Sequence, residues 1–403
     1  MGDRQMRMLF ITEKFPPSEG GSRIYYYNLC KNYPAGNVVV LTKKVDGWES
    51  FDQNEKLKII RKGRPLPNWK YTQIPKMFLP LLWTIYLTFR ERVDVIHCGD
   101  FFPAGVIGLI MKKFFGKPYV YYVHGEGYTW FAQFRFQPKV RKVILRNADR
   151  IVAACSYAEE GVLRDLGGGQ EKIVRINPGV EFERFDPNRK DRSHVAGLDL
   201  DRKKIILTVG RLIDRKGQDT VIRAMPKVIA NVPEALYLIC GRGPYEEGLR
   251  HLAADLGVDK NVMFYGFVPN DRLPDIYSIC DLFVMINRDT PGEGPEGFGM
   301  VFTEAAAAGK AVIGGRSGGN KDSIVDGVTG YRVDPLDVDE VAAKIIMMLR
   351  DDNLRKTMGQ NSREWVMKNF NWKDKALQIE NLNQGIFGPD TRSSSCGGEG
   401  SKC

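Results

Sequence analysis

The chain has 403 residues, of which 43% are hydrophobic and 27% charged, so its composition is that of a folded globular protein and its length suits two domains. The longest apolar run, Met77 to Phe89, contains Pro80 and is shorter than the roughly 20 residues of a membrane span, and the first residues do not resemble a signal peptide. Seven scattered cysteines without a Cys-x-x-Cys pair argue against a disulfide framework or a zinc site, so we expect a cytoplasmic protein.

Positive charge is concentrated in the first half of the chain. Residues 1–190 contain 31 Lys and Arg against 19 Asp and Glu, a net charge of +12, whereas residues 191–403 contain 28 and 30, a net charge of −2. This asymmetry indicates an anionic partner for the first half.

Short β-branched runs alternate with helix-length segments, which is typical of parallel sheets covered by helices on both faces. We predict an α/β protein with two doubly wound, Rossmann-like domains, residues 1–190 and 200–370, and a disordered Gly/Ser-rich tail, residues 388–403. Residues 187–203 lack apolar periodicity and are predicted to link the domains. The predicted strands are Met8–Thr12, Val38–Thr42, Val93–Cys98, Tyr119–His124, Arg150–Cys155, Lys204–Gly210, Leu236–Gly241, Val262–Gly266, Asp281–Ile286 and Ala311–Gly314.

A Gly-Gly loop follows the first predicted strand. Open parallel sheets bind ligands beyond the carboxyl ends of their strands, and Gly20 and Gly21 leave room there for close backbone approach. The next helix would direct its first amides at the same ligand. The loop is not the G-x-G-x-x-G dinucleotide pattern, and a simple tight turn explains it equally well.

His124 stands at the end of another predicted strand. A histidine at a strand tip is able to contact a ligand hydroxyl group. A hydrogen-bonded core histidine is the alternative, and the sequence leaves this choice open.

Two cations follow the first predicted strand of the second domain, in GRLIDRKG, Gly210 to Gly217. Arg211 offers a planar fork of donors and Lys216 a compact charge, and both suit a diphosphate. An ordinary solvated basic loop is the alternative when this stretch is taken alone.

The segment PEGFGMVFTE, Pro295 to Glu304, joins a Gly-rich turn to the start of a predicted helix. The free amides of Met300 and Val301 would suit diphosphate oxygens. Glu304 would then face a ribose diol and Glu296 sugar hydroxyls, because a carboxylate beside a diphosphate repels it. A helix with acids in its first turns explains Glu304 but not Glu296 in a turn of three glycines.

Together these motifs resemble those of a retaining glycosyltransferase of family 4 with the GT-B fold. The resemblance rests on the E-x7-E pattern EGFGMVFTE, GRLIDRKG, the N-terminal Gly-Gly loop, HGE after a strand, and SGGNKDSIVDGVTGYRV (Ser317 to Val333). It extends to about Phe387. Asp322 differs from the glutamate that often follows Gly-Gly in the family, which is a conservative change.

The resemblance implies that the second domain binds a nucleoside diphosphate sugar as donor substrate, with no other cofactor and no metal. His124, Glu296, Arg211 and Lys216 are the implied catalytic residues, with the two cations on the diphosphate and His124 and Glu296 on the sugar. Glu304 would hold the ribose. The implied donor-binding residues are Gly20, Gly21, Gly210, Arg211, Lys216, Gly266, Phe267, Val268, Glu296, Gly297, Phe298, Gly299, Met300, Val301 and Glu304.

The resemblance also implies how the two domains work together. GT-B enzymes close over the donor, so residues 187–203 are the expected hinge, and residues 371–387 the helix that crosses back to the first domain. The anomeric configuration would be retained by attack on the face that the phosphate leaves, without a carboxylate nucleophile. Asp337-Val-Asp339 is interpreted as a helix start, not as a metal site.

The basic first half suggests where the acceptor lies. Residues 61–70, 111–118 and 135–146 mix cations with aromatic residues, which suits an anionic bilayer, although a solvated basic surface beside a core helix explains them too. We expect a hexosyl unit to pass from a GDP- or UDP-sugar to a lipid-linked or glycan acceptor, in glycolipid or polysaccharide synthesis by a peripheral membrane protein. A small soluble acceptor and a non-catalytic sugar-nucleotide binding protein are the alternatives. No nucleic-acid reader module is present, so no nucleic-acid partner is expected.

Overall fold

The structure is a computed structural model that describes residues 6–34, 36–63, 73–125, 137–189, 200, 202–291 and 294–388. Within them, every pairing between strands is parallel, and the strands form two separate sheets covered by helices. This confirms the predicted pair of doubly wound domains. Several predicted features lie outside the described residues: most of the linker and the tail after Gly388. The same holds for residues 64–72 of a basic stretch and for residues 126–136, which include part of HGE and the start of another basic stretch.

The first domain surrounds a seven-stranded sheet. Its strands are β1 (Met8–Ile11), β2 (Val38–Thr42), β3 (Lys58–Arg61), β4 (Val95–Cys98), β5 (Tyr119–Val123), β6 (Arg150–Ala153) and β7 (Ile173–Arg175). Its helices are α1 (Gly21–Asn32), α2 (Trp48–Gln53), α3 (Gln73–Arg90), α4 (Val106–Phe115), α5 (Gln137–Asn147) and α6 (Ser156–Leu166). The strand order is β3-β2-β1-β4-β5-β6-β7, so the chain reverses its direction of winding between β1 and β4.

The second domain surrounds a six-stranded sheet. Its strands are β8 (Lys204–Val209), β9 (Ala235–Cys240), β10 (Val262–Gly266), β11 (Leu282–Met285), β12 (Ala311–Gly315) and β13 (Gly330–Val333). The helices that follow them are α7 (Gln218–Asn231), α8 (Glu246–Asp255), α9 (Leu273–Ile279), α10 (Met300–Ala307), α11 (Val338–Arg350), α12 (Asp352–Asn369) and α13 (Trp372–Ile386). The strand order is β10-β9-β8-β11-β12-β13, with winding reversed between β8 and β11.

The central strands form because their apolar residues are buried on both faces of each sheet. In β8, Ile205 and Leu207 pack into the apolar cluster on one face, and Ile206 packs into the cluster on the other. A strand covered on both sides reads as a continuous apolar run. The ten predicted strands all appear in the structure, each with both ends within two residues of the predicted bounds.

The last helix, α13, leaves the second domain and packs against α1 of the first. The Nε2 atom of buried His97 lies 2.9 Å from Oδ1 of Asn383, and the amide of Asn383 donates to the hydroxyl of Tyr33 at 3.1 Å. Trp372, at the start of α13, is buried in the first domain's apolar cluster. These contacts hold the end of the chain against the first sheet.

A second link between the domains comes from the turn after β12. The carboxylate of Asp322 accepts hydrogen bonds from the backbone N–H of Ser156 at 2.6 Å and from the amide of Asn177 at 3.2 Å. Ser156 is the first residue of α6, and a carboxylate is favoured at a helix N-terminus. Asp322 therefore fastens the second domain to a helix end of the first.

Among the helices of the described residues, none is both long enough and apolar enough to cross a lipid bilayer.

Candidate active site

Three loops from the two domains meet in a cleft between the carboxyl edges of the two sheets. A Cβ atom at Gly125 would lie 2.8 Å from the Cα of Gly297, so the loop after β5 touches the loop before α10. A Cβ atom at Gly21 would lie 3.6 Å from the Sδ of Met300, so the start of α1 faces the start of α10. The Gly-rich loops predicted from the sequence thus lie on opposite walls of one cleft.

Helix α10 begins in the middle of this cleft. Gly299 caps it with a φ of 78°, a left-handed conformation that glycine adopts without strain, and it offers no side chain to the first amides. The amide of Phe302 donates to the carbonyl of Gly299 at 2.9 Å. The first amides of the helix, those of Met300 and Val301, lie within this turn at the positive end of the helix dipole.

Lys216 and Glu296 form an ion pair next to this helix start. The Nζ atom of Lys216 lies 2.6 Å from an oxygen of Glu296, and both side chains are largely buried. A guanidinium nitrogen of Arg215 lies 3.7 Å from the same oxygen and donates to the carbonyl of Pro295 at 3.2 Å. Burial alone would raise the pKa of Glu296, but Lys216 and Arg215 outweigh it and lower that pKa below its ordinary value. Glu296 is therefore ionised at neutral pH.

This pairing differs from the expectation that Glu296 faces neutral hydroxyl groups alone. A buried carboxylate is costly without a counter-charge, and Lys216 supplies one. Sequence reasoning missed Arg215, which is buried beside the same carboxylate. The only available signal was its position directly before Lys216 in GRLIDRKG.

Arg211 lies at the mouth of the site, with an exposed side chain. Its positive charge contributes to the lowered pKa of Glu296, after the larger effects of Lys216 and Arg215. The amide of Gln218 donates to the carbonyl of Arg211 at 3.1 Å, which fixes the loop between β8 and α7. A Cβ atom at Gly210 would lie 3.8 Å from the Cε of Lys216, so the predicted cationic loop surrounds Lys216.

Glu304 lies in α10, beyond its first turn, in a different environment. Its carboxylate accepts a hydrogen bond of 2.8 Å from the hydroxyl of Tyr277 in α9. Burial raises the pKa of Glu304, and this effect outweighs the hydrogen bond from Tyr277 and the attraction of Arg184, which both lower it. Sequence reasoning missed Tyr277, because its spacing from Glu304 gives no sign of the contact.

Three of the predicted donor-binding residues, Gly266, Phe267 and Val268, lie at the carboxyl end of β10. Gly266 accepts a hydrogen bond of 2.7 Å from the amide of Gly241, which joins the ends of β9 and β10. Phe267 is exposed, and the guanidinium of Arg242 lies 6.0 Å from the centre of its ring. Val268 is buried in the apolar core. Phe267 and Arg242 are therefore both exposed at this edge of the sheet.

The side chain of Phe298, another predicted donor-binding residue, is also buried. Its ring centre lies 5.5 Å from that of Phe370, and its carbonyl accepts a hydrogen bond from Ser323 at 3.2 Å. Because its aromatic side chain is apolar and packs in the core, Phe298 anchors the loop before α10 to the interior of the second domain.

His124 lies on the opposite wall, directly after β5. Its ring packs edge-on against the rings of Tyr25 and Tyr26, each at 5.1 Å between ring centres, and its Nε2 atom is buried without a hydrogen-bond partner in the described structure. Burial, with a smaller effect of Lys14, lowers the pKa of His124 to about 3. The imidazole is therefore neutral at physiological pH, and its Nε2 atom has an unused hydrogen-bonding capacity.

A small cavity of about 80 Å³ opens beside His124. Asp100 forms part of its wall and accepts hydrogen bonds from the hydroxyl of Thr12 at 2.7 Å and from the backbone N–H of Glu13 at 2.6 Å. Phe101 and Phe102, which follow Asp100, complete that side. The cavity gives the first-domain wall a recess beside His124 that is lined by both polar and apolar side chains.

Asp337, one of the two acids considered for a metal, is a helix cap. It accepts hydrogen bonds from the amides of Asp339 and Glu340 at the start of α11, at 3.0 and 2.9 Å. Among the described residues, no group of three or more His, Cys, Asp or Glu side chains is arranged to hold a metal ion.

Comparison with known proteins identifies both domains. Residues 19–184 match the profile of Glycosyltransferase Family 4, and residues 190–365 match that of Glycosyl transferases group 1. The chain is 29% identical over 387 residues to the GDP-mannose-dependent alpha-(1-6)-phosphatidylinositol monomannoside mannosyltransferase of Mycolicibacterium smegmatis, covering 94% of this chain and 98% of that protein. It is 30% identical to the D-inositol 3-phosphate glycosyltransferase of Salinispora arenicola, covering 69% of this chain and 66% of that protein.

Solved structures show the same two-domain architecture. The Anabaena protein Alr3699/HepE in complex with UDP superposes with a TM-score of 0.77 at 20% identity, covering 93% of this chain and 99% of that one. Sucrose-phosphate synthase from Thermosynechococcus elongatus superposes with a TM-score of 0.75 at 25% identity, covering 95% and 99%. The fold is therefore GT-B.

Proposed function

Because the chain belongs to the glycosyltransferases that join a Glycosyltransferase Family 4 domain to a group 1 domain, we propose that it transfers mannose from GDP-mannose to a lipid-linked acceptor that carries an inositol phosphate. The observation that carries this proposal is the cleft in which Gly21, the start of α10 and Lys216 face one space. That space offers amides and a cation to a diphosphate and carboxylates to sugar hydroxyls.

The diphosphate is the leaving group, so its developing negative charge is the main electrostatic problem of the reaction. Helix amides and fixed cations stabilise such a charge without reorganisation, and removing one such group costs about 100- to 1000-fold in rate. The ammonium of Lys216 has three donors, so it is able to maintain its ion pair with Glu296 and also donate a hydrogen bond to a phosphate oxygen. Cations and amides of this kind allow transfer without a metal ion.

The reaction step breaks two bonds and forms two. The bond between the sugar C1 and the diphosphate oxygen breaks, the acceptor oxygen bonds to C1 on the same face, and the acceptor proton passes to the departing phosphate. The anomeric configuration is then retained. Glu296 and His124 hold the sugar from opposite walls, and Glu304 accepts hydrogen bonds from the ribose.

Support for the donor and the acceptor comes from the relatives. The mycobacterial relatives that match over nearly their whole length are named for GDP-mannose and a phosphatidylinositol mannoside, and the Salinispora relative for an inositol phosphate. An inositol phosphate is common to both acceptors. The mycobacterial relatives, which match over nearly their whole length, favour the lipid-linked acceptor.

A transfer assay tests this proposal. The purified chain is incubated with GDP-mannose and a phosphatidylinositol monomannoside, and the product is followed by mass spectrometry, with and without EDTA. We expect a mass increase of one hexose that EDTA does not prevent. UDP-glucose in place of GDP-mannose tests the donor, because the Anabaena structures contain UDP and UDP-glucose.

The same assay separates the alternatives. Transfer to D-inositol 3-phosphate but not to the lipid would identify a soluble acceptor, the second candidate, which the Salinispora relative favours. Nucleotide binding without release of GDP from the donor in the presence of any of these acceptors would identify a binding protein without transferase activity and contradict the proposal.

A further inference from the structure

Helix α3 exposes an apolar face that a water-facing helix does not need. From Met77 to Phe89 its sequence, MFLPLLWTIYLTF, contains no charged residue. Its inner face is buried at Thr84, Leu87 and Thr88, and Leu87 packs into the apolar cluster of the first sheet. A helix that rests on a sheet with one face normally carries polar residues on the other, so the outer face of α3 requires an explanation.

The outer face is continued by the end of the neighbouring helix. Phe78, Leu82 and Phe89 are 59%, 58% and 61% exposed, and Phe114 at the end of α4 is 78% exposed. The ring of Phe89 lies 6.1 Å from that of Phe115, which joins the two helices into one surface. We call this surface the apolar stripe; it comprises Phe78, Leu79, Leu82, Tyr86, Phe89, Phe114 and Phe115.

Cations border the apolar stripe. The Nζ atom of Lys62 lies 3.9 Å from the centre of the Trp83 ring, and the guanidinium of Arg90 lies 5.5 Å from that of Tyr86. Lys113 is exposed and directly precedes Phe114. Aromatic and aliphatic side chains bordered by Lys and Arg are typical of surfaces that enter the headgroup region of an anionic bilayer, where each nearby cation strengthens the attraction.

One end of the apolar stripe, at the beginning of α3, lies near the site, whereas Phe89, Phe114 and Phe115 stand at the far ends of their helices. Helix α3 packs against residues 101–105, the segment that follows β4 and supplies Phe101 and Phe102 to the cavity beside His124. Because helices in such a domain run opposite to the strands, α3 begins at the carboxyl edge of the sheet, where the cleft is. A bilayer in contact with the stripe would thus lie along the side of the first domain, and the cavity beside His124 would be near one end of the contact.

From these observations we propose that the apolar stripe docks the protein on the surface of an anionic phospholipid bilayer. This inference rests on the proposed function, to which it adds the surface by which the enzyme reaches a lipid-linked acceptor. A protein partner fits less well, because Lys is depleted at protein interfaces and Lys62 and Lys113 border this surface.

Vesicle flotation of the full-length chain tests the proposal. Vesicles of phosphatidylglycerol mixed with phosphatidylcholine are compared with vesicles of phosphatidylcholine alone, at low and high salt. We expect binding to the anionic vesicles that high salt weakens. A triple variant, Phe78→Ser, Leu82→Ser and Phe89→Ser, should reduce this binding by roughly tenfold or more, because it removes the apolar side chains that insert.

The matched control changes three exposed apolar residues elsewhere, Leu336→Ser, Met367→Ser and Leu377→Ser. It should bind vesicles like the unchanged chain. Both variants should keep the rise in melting temperature that GDP produces, which shows that they fold. Equal binding to the two kinds of vesicle, or equal loss in both variants, would overturn the proposal. So would a dimer in solution that the stripe variant alone converts to a monomer, because the stripe would then be an interface between two copies.

The two proposals fail in different ways. A chain that responds to GDP and transfers mannose, but binds no vesicles, overturns the docking surface and leaves the proposed function intact. A chain that binds anionic vesicles through the apolar stripe, but neither binds GDP nor transfers mannose, contradicts the proposed function and supports the docking surface.

Discussion

The two walls of the cleft differ in charge. The second-domain wall carries Lys216 and Arg215 against the ionised Glu296. The first-domain wall, which we call neutral, presents glycine backbone and an uncharged His124 between two tyrosine rings, and its carboxylate Asp100 lies in the cavity beside His124. This difference indicates a division of labour. The charged wall suits the diphosphate of the donor, and the neutral wall suits hydroxyl groups of the sugar and the acceptor.

The largest expected effect follows from removing the cation of the charged wall. Lys216→Gln should lower kcat/KM for donor turnover by about 100- to 1000-fold, because the diphosphate loses a fixed positive charge in the transition state. Initial rates of GDP release measure this. Lys321→Gln is a suitable control, since Lys321 pairs with Glu160 on the surface and should have little effect. A decrease of less than about threefold in kcat/KM for Lys216→Gln would show that the charged wall is not needed for donor turnover.

The second effect separates the two glutamates of the charged wall. Glu296→Gln should lower kcat by about 100-fold, because it removes the negative charge that balances Lys216 and a contact to the reacting sugar. Glu304→Gln should instead raise KM for the donor by about tenfold, the cost of weakening one charge-assisted hydrogen bond, with kcat nearly unchanged. Steady-state kinetics with varied donor measure both values. Identical changes in the two variants would contradict the assignment of sugar to one and ribose to the other.

A smaller effect is expected where the two walls are fastened together. Asp322→Asn should lower the free energy of unfolding by about 1 kcal/mol, because the carboxylate caps the N-terminus of α6 across the domain boundary. Urea unfolding measures this. Asp339→Asn, which changes an exposed acid paired with Lys227, is the control. An equal loss in both variants would mean that Asp322 does not link the domains.

The last effect concerns the neutral wall and depends on pH. In the unfolded chain, His124 gains a proton below about pH 6.5, whereas in the folded protein its pKa is about 3. The unfolded state therefore binds more protons between these values, so this contribution to stability is fully present above pH 6.5 and is lost as the pH falls towards 3. Urea unfolding at pH 7 and pH 5 should show a smaller pH effect for His124→Asn than for the unchanged chain. An equal pH effect would mean that His124 is not held neutral by burial.

Much of the fold was predictable because the central strands of parallel sheets are buried on both faces. The strands that escaped prediction, β3, β7 and β13, lie at sheet edges. The first, KIIR, is only four residues long, starts with an exposed lysine and has partly exposed isoleucines. A strand with one neighbour and partial exposure does not need a long apolar run, so its sequence carries a weaker signal.

The site was predictable in its location but not in its pairing. Loops at the carboxyl ends of strands must meet at one edge of each sheet, which placed Gly21, His124 and Lys216 around the cleft. The contact between Lys216 and Glu296 joins residues 80 positions apart, and the hydrogen bond from Tyr277 to Glu304 comes from a neighbouring helix. Side-chain burial and partner choice depend on packing that a single sequence does not display.

Calorimetric titration with GDP and with GMP tests the central claim that the second-domain wall holds the diphosphate. For the unchanged chain we expect GDP to bind at least about tenfold more tightly than GMP, because its second phosphate reaches Lys216 and the start of α10. This ratio should persist in His124→Asn, on the neutral wall, and should fall towards one in Lys216→Gln. The same ratio in Lys216→Gln as in the unchanged chain would contradict the claim.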